Sequence, residues 1–227
     1  IREKGLDGFN IRELCRRADV AQRTVYNAFG SKENVLALAI REYFEEFFRN
    51  LSFDAPAERF EGALERQTAV LMRNRDLPEY VRAVGGLYFS PTIPTDIRAV
   101  LLAIGKRSWA PWLASLSSRQ LEPGVNVTRL CTNLSHLQFA ILIDWVAGSV
   151  PDDQVLPVTL TTVLDMLAGS LRGAALKQVR DMRADLIDRG PATAALLART
   201  RARIAHMPVE RHHAAPARIV TAHYTEA

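Results

Sequence analysis

The sequence lacks the features of a membrane protein and of a disulfide-stabilised secreted fold. No apolar run approaches the length of about 20 residues that a membrane-spanning helix needs. The densest apolar stretch, residues 137–147, contains Gln138 and Asp144. The two cysteines, Cys15 and Cys131, are far apart in the sequence and lie on apolar helical faces. We therefore expect two reduced core cysteines and a cytoplasmic protein without a membrane partner.

The residue patterns of metal sites and of common catalytic sites are also missing. No pair among the five histidines has zinc-ligand spacing with a cysteine or an acidic partner. The sequence has no glycine-rich phosphate loop, no nucleophile elbow and no carboxylate cluster with acid–base spacing. We expect no metal, no cofactor and no enzymatic activity. The sequence also has no convincing strand pattern and no internal repeat, so the predicted fold class is all-α.

Charge is unevenly distributed along the chain, although the net charge is only +4. Residues 1–32 carry seven basic and four acidic side chains, whereas residues 33–171 carry twelve basic and sixteen acidic ones. This pattern is typical of a DNA-binding head on a body that does not touch DNA. Residues 172–218 carry ten basic and four acidic side chains. We interpret this third segment as solvated helical faces.

Two short helices separated by a tight turn are predicted near the N-terminus. Asn10 is a favourable N-cap residue, and Glu13 stands three positions later, as in a capping box. Asp19 falls where the chain must turn, and Asp tolerates the left-handed conformation. A second helix is predicted from about Gln22 to Ala28; Gly30-Ser31 ends it, and Ser31 is positioned to cap the next helix.

This second helix has a composition suited to DNA. Val25 and Phe29 face inward, while polar side chains occupy most other positions. In the major groove, Arg bonds guanine edges, Asn and Gln bond adenine edges, and Thr, Tyr and Lys reach phosphates. A helical hairpin with a purely structural role shows the same pattern and remains an alternative. The candidate DNA-binding residues are Asn10, Gln22, Arg23, Thr24, Tyr26, Asn27 and Lys32.

The run from Gly5 to Leu36 resembles the DNA-binding segment of the TetR family of bacterial transcription regulators. The matching features are a Gly that ends the first helix, a polar cap, an apolar-small pair, a small residue before the turn, Thr-apolar-Tyr, a Phe and a Ser-Lys-Glu. These are Gly5, Asn10, Leu14-Cys15, Ala18, Thr24-Val25-Tyr26, Phe29 and Ser31-Lys32-Glu33. The sequence departs from the family at Asp19, where Gly is usual, and at Ala21, where Ser or Thr is usual. Both departures leave the start of the recognition helix open.

The resemblance implies a three-helix head on a larger helical body. A full first helix would precede Gly5, and the sequence holds only its end. We predict a helix-turn-helix domain with its connecting helix at residues 1–50, a ligand-binding and dimerisation domain at 51–207 and an irregular tail at 208–227. Helices are predicted at about 32–51, 56–74, 78–89, 95–119 with a kink before Pro111, 126–147, 154–172 and 174–189. A last helix is predicted after Gly190-Pro191 and runs to about His206.

A ligand pocket in the body is implied by the resemblance. Aromatic and Met side chains of the body with few charges among them would suit an apolar or aromatic ligand. The same residues are equally compatible with a plain core. The candidate ligand-binding residues are Met72, Tyr88, Phe89, Trp109, Trp112 and Phe139.

Two strongly apolar helices, about 126–147 and 154–172, predict a dimer interface. The first carries two apolar stripes, which indicates burial on two sides. Pairing with a second copy would form a four-helix bundle across a two-fold axis, as the family resemblance also implies. Alternatively, the basic helices after Gly173 cover these faces within one chain. The candidate interface residues are Leu134, Leu137, Ile141, Trp145, Leu160, Val163, Leu164 and Leu167.

The sequence thus favours a TetR-like regulator with double-stranded operator DNA, a small-molecule effector and a second copy as partners. We expect a repressor that binds a palindromic operator as a homodimer and is released by a small, mainly apolar ligand. An activator of the same fold remains an alternative. A different class, an all-α ligand carrier or enzyme with an accidental helix-turn-helix resemblance, also remains.

Overall fold

The computed structural model describes residues 10–207, and the regular elements in that range are helices, as the sequence predicts. Within the same range, no helix is both long and apolar enough to cross a membrane. The α-helices are α1 (Ile11–Ala18), α2 (Gln22–Phe29), α3 (Lys32–Asn50), α4 (Phe60–Arg75), α5 (Pro78–Tyr88), α6 (Thr95–Lys106), α7 (Ala110–Ser115), α8 (Val127–Val146), α9 (Val155–Ala168), α10 (Gly173–Ile187) and α11 (Pro191–Ala205).

The largest core lies among α4 and α7 to α11. An aromatic cluster occupies one end of it, where the ring of Phe60 lies 5.1 Å from that of Trp112 and 6.4 Å from that of Trp109, between centroids. Leucines of α9 fill its middle, and Leu164 and Leu167 are fully buried there. Because α10 packs along α9, this core is closed within a single chain.

A second core joins α3 to α5 and α6. Leu36, Ile40 and Phe44 of α3 are buried against Tyr80 of α5 and Leu101 of α6. The first turn of α3, by contrast, packs with α1 and α2. One continuous helix therefore belongs to both the head and the body, and the predicted domain limit at residue 50 stays a prediction.

The predicted start of α4 near Pro56 is wrong, because the helix begins at Phe60. The preceding segment is held by side chains of α4 rather than by helical bonds. Glu65 accepts the backbone N–H of Asp54 at 3.1 Å, and Arg66 donates to the carbonyl of Ala55 at 3.0 Å. A segment fixed in this way cannot continue the helix.

The single helix predicted over 95–119 is also wrong, since the chain forms α6 and α7 with a break between them. Pro111 lies in the first turn of α7, where its missing N–H costs no helical bond, so it starts a helix instead of kinking one. Likewise α9 ends at Ala168, before the predicted residue 172. There the backbone turns to pair with an earlier loop, as Glu122 N–H donates to the Ser170 carbonyl at 3.0 Å.

The predicted tail 208–227 and the expected end of a preceding helix around residues 1–5 lie outside the described residues. The remaining predicted helices agree with α3, α5, α8, α10 and α11 to within about two residues.

Candidate DNA interface and body cavity

The turn between α1 and α2 forms as its residues predict. The side chain of Asn10 accepts the N–H of Arg12 at 2.8 Å and caps α1. Asp19 ends the helix in the left-handed region with φ of 52°, so it takes the conformation for which the family usually uses Gly. The predicted capping box is wrong, however, because the Glu13 carboxylate bonds Arg16 and Arg17 instead.

Helix α2 begins at Gln22 without a side-chain cap, because the N-cap residue Ala21 has no side-chain oxygen to accept a backbone N–H. This settles the start that the sequence left open. The helix ends at Gly30, whose φ of 75° is a conformation that other residues rarely adopt. Ser31 then caps α3 by accepting the N–H of Asn34 at 3.1 Å, as predicted. Fixed boundaries on both sides hold α2 in one orientation.

The head has a small core. Ile11, Cys15 and Val25 are buried together, and Phe29 and Val35 are half-buried against them. Val25 is thus the anchor of α2, as predicted, because it is the buried residue of that helix. Apart from the half-buried Gln22 and Phe29, the other side chains of α2 are exposed.

Most predicted DNA-contacting side chains are exposed on this surface. Arg23, Thr24 and Asn27 are exposed, and the Tyr26 ring is 43% exposed, which is unusual for an aromatic residue in a small domain. Gln22 and Lys32 are half-buried, and Asn10 is exposed but its Oδ1 already caps α1. The structure therefore brings the α2 residues onto one helix surface, and their contacts with DNA stay a prediction.

Two further arginines of α1 are tied to an acidic neighbour. Arg16 and Arg17 donate to Glu13 at 2.7 and 2.8 Å. These hydrogen bonds lower the pKa of Glu13 to about 2, so the carboxylate stays ionised at neutral pH. In helix-turn-helix proteins the first helix crosses the DNA backbone. Glu13 therefore offsets part of the positive charge that α1 would bring to phosphates.

A cavity lies in the body among α3, α4, α5, α6 and α8. The space between its side chains is about 650 Å³ including the mouth open to solvent, and about 50 Å³ of it is wide enough for the centre of a water molecule. It is therefore a narrow cleft with a deep apolar wall. Val84, Leu101, Ile104 and Leu142 supply much of that wall.

Of the six predicted ligand-binding residues, Phe139 lines this cavity. Tyr88 stacks on the Phe139 ring at 4.3 Å between centroids and so lies one layer away. Trp109 and Trp112 belong to the aromatic cluster with Phe60, and Met72 packs on the same core. Phe89 is 48% exposed at the end of α5. The sequence pattern did not separate core aromatics from cavity-lining ones, because both are spaced as buried helical positions.

The sequence missed the polar residues of the cavity wall, which no spacing distinguishes from surface positions. These are Gln67 and Asn74 on α4, Ser108 after α6, and Ser135 and Gln138 on α8. The indole N–H of Trp109 donates to Gln67 at 2.9 Å, which connects the aromatic cluster to the cavity. The cavity also contains the Tyr80 ring, and burial raises the pKa of its hydroxyl, which stays neutral.

The predicted dimer residues of α9, together with Leu134, Ile141 and Trp145 of α8, are buried within the single chain. The prediction that α8 is covered on two sides is correct, but α9 supplies one cover, and α10 in turn covers α9. The alternative in which helices after Gly173 cover these faces therefore holds for α9. Leu137 is the half-buried member of the predicted set. The fully buried residues have no surface left for a second copy.

Both cysteines are free and buried, as predicted. Within residues 10–207, no group of three His, Cys, Asp or Glu side chains is arranged to hold a metal ion.

Comparison with known proteins supports the prediction of a helix-turn-helix head. The family model described as bacterial regulatory proteins, tetR family, matches residues 1–39, which includes α1, α2 and the first part of α3. No curated protein matches the chain, and no solved structure matches it. The match to the helix-turn-helix head, together with the all-α body, supports a TetR-like DNA-binding regulator.

Proposed function

We propose that this protein is a transcriptional repressor that binds a palindromic operator as a homodimer and releases it when a small, mainly apolar ligand enters the body cavity. The observation that carries the proposal is α2, an eight-residue helix that buries Val25 and exposes Arg23, Thr24, Tyr26 and Asn27. Solvent alone gives no reason for a 43% exposed Tyr beside the exposed Asn27 on a short helix.

Each exposed side chain has a role in this proposal. Arg23 and Asn27 lie one helical turn apart, so they reach neighbouring base edges from the same face. Thr24, Tyr26 and Lys32 hold phosphates and fix the register of α2 in the major groove. The net positive charge of the head attracts DNA, and the net negative charge of the middle of the chain repels it, so DNA should approach the head alone.

The cavity is well placed to control the head. Phe44 of α3 lines it, and the Tyr80 hydroxyl approaches the Ile40 carbonyl of α3 at 3.5 Å. The same helix begins directly after α2 and carries the head. A ligand larger than a few water molecules must widen the cleft, and widening displaces α3 relative to α6 and α8. Such a ligand favours a head position that differs from the DNA-competent one.

The outward sides of α8 and α9 are the proposed dimer surface. They carry small or apolar residues that the chain covers incompletely, namely Leu137, Ala140, Val158, Thr161 and Thr162. A two-fold axis through this surface forms a four-helix bundle and holds two heads at a fixed separation. Two heads are needed because one recognition helix reads only half of a palindrome.

A gel-shift assay with a head variant and a body control tests the proposal. Replacing both Arg23 and Asn27 with Ala should abolish the specific shift and keep only weak, salt-sensitive binding. The matched control replaces Arg180 and Gln178, an exposed basic and amide pair on α10, and should bind like the wild type. Equal loss in both variants would show that binding follows net charge and not the α2 surface.

A further inference from the structure

Two buried amide groups in the cavity wall have donors without partners in the described part of the chain. Gln67 on α4 is 1% exposed and Gln138 on α8 is 7% exposed, and both line the cavity. The Nε2 group of each is buried and has no hydrogen-bond partner among the described residues. A buried donor without a partner costs free energy, so native proteins have few of them, and a donor in a cavity wall is placed to bond the molecule that enters the cavity.

The orientation of the Gln67 amide is fixed by its other end. The Trp109 indole can only donate, and it donates to Gln67 Oε1 at 2.9 Å. An amide flipped by 180° would place two donors against each other. The end without a partner is therefore the N–H₂ group, and it belongs to the cavity wall.

Among the described residues, the cavity wall carries no charged side chain. Its lining within the described range contains no Asp, Glu, Lys, Arg or His. A ligand with a net charge would enter this wall without a counter-charge, which is strongly unfavourable. The wall accordingly selects a neutral molecule that offers acceptor atoms to the two amides and apolar surface to the rest.

We infer that the effector is a neutral, mainly apolar molecule with carbonyl oxygens, such as a ketone or an ester, and that Gln67 and Gln138 donate to those oxygens through Nε2. The inference rests on the proposed function only in taking the cavity as the effector site. Trp109 reports on binding, because its indole is hydrogen-bonded to one of the two ligand-holding residues.

Three probes of equal chain length separate the alternatives: 2-decanone, decane and decanoate. Each is titrated into the full chain and followed by calorimetry and tryptophan fluorescence. The wild type should bind 2-decanone with a change in fluorescence and bind decanoate more weakly. Failure to bind 2-decanone, or tighter binding of decanoate, would overturn the inference.

Variants then locate the contact. Gln138→Leu keeps the volume and removes the donor, so it should weaken 2-decanone binding about five- to tenfold without weakening decane binding. Gln67→Met keeps the length of the side chain and removes the amide donor, and it should cause a similar loss. Gln178→Leu, at an exposed position of α10, is the control and should bind both probes like the wild type. Unchanged 2-decanone binding in both cavity variants would refute the assignment.

Operator binding measured on the same preparations separates this inference from the proposed function. Intact operator binding with no binding of 2-decanone overturns the effector class and leaves the regulator. Binding of 2-decanone that depends on Gln138 in a protein without affinity for any DNA overturns the regulator and leaves the cavity assignment.

Discussion

The head and the body of this chain distribute their functional residues in opposite ways. Within the described range, the head buries Ile11, Cys15 and Val25 and places its polar side chains on the surface of α2. The body buries a continuous core from Phe60 to Leu196, and its candidate functional residues line a cavity inside it. Surface variants of the head should therefore change binding without changing stability, whereas cavity variants should change both.

This difference follows from what each region must contact. DNA is larger than the domain that reads it, so the reading residues must project outward from a short, well-anchored helix. A small apolar ligand is bound by enclosing it, so its partners must be desolvated. The predictions below test that contrast, starting with the largest expected effect.

The strongest effect is expected in the core of α9. Leu164 is fully buried, so Leu164→Ala should lower the free energy of unfolding by about 2–5 kcal/mol, measured by denaturant titration. Ile187→Ala on α10 is the control, because Ile187 is 54% exposed and its truncation should cost less than about 0.5 kcal/mol. An unchanged stability of Leu164→Ala would show that α9 is not packed inside one chain.

The next effect concerns association. Leu137→Glu places a charge on the outward side of α8, and at a buried interface an unpaired charge costs about 2–5 kcal/mol. Sedimentation should then show the 25.3 kDa chain alone where the wild type sediments at twice that mass. Ala198→Glu, at an exposed position of α11, should remain dimeric. Monomeric wild type at micromolar concentration contradicts the dimer.

A smaller effect is expected in the head. Arg23→Ala should weaken operator binding by about 1–3 kcal/mol and relax the preference at one base pair per half-site. Its melting temperature should equal that of the wild type, because Arg23 is exposed. A matched loss of stability would mean that Arg23 supports the fold of the head and does not read DNA.

The smallest effect has the opposite sign to an ordinary core truncation. Gln138→Leu removes a buried donor that has no partner within residues 10–207, so the ligand-free protein should gain about 1 kcal/mol of stability. Thermal unfolding measures the gain. Thr159→Val on α9 is the control. The Thr159 hydroxyl donates to the Val155 carbonyl, so removing this hydroxyl should not stabilise the protein. A destabilised Gln138→Leu would mean that the amide is satisfied within the fold.

Local chemistry explains why the head was predictable from sequence. Caps, turn residues and short-range spacing act over a few positions, so Asn10, Asp19, Gly30 and Ser31 define its helix boundaries without reference to the rest of the chain. The exposed surface of α2 followed from its two apolar anchors, Val25 and Phe29.

The body could be predicted only as a set of helices. Its apolar positions show which residues are buried but not which neighbour buries them, so the same pattern allowed Leu164 at a dimer interface or within one chain. Gln67 and Gln138 resemble surface residues in sequence, and only the packing of α4, α5 and α8 encloses them. The loop before α4 was missed because side chains eleven residues away hold its backbone.

The central claim is that two copies of the α2 surface read a symmetric operator, and selection from random double-stranded DNA with the purified chain tests it most directly. We expect an enriched palindrome whose half-sites are spaced by about one helical turn or a multiple of it. The same selection with Arg23→Ala should lose preference at one symmetric pair of positions. Enrichment of no sequence, or of a single half-site without its mate, would contradict the account.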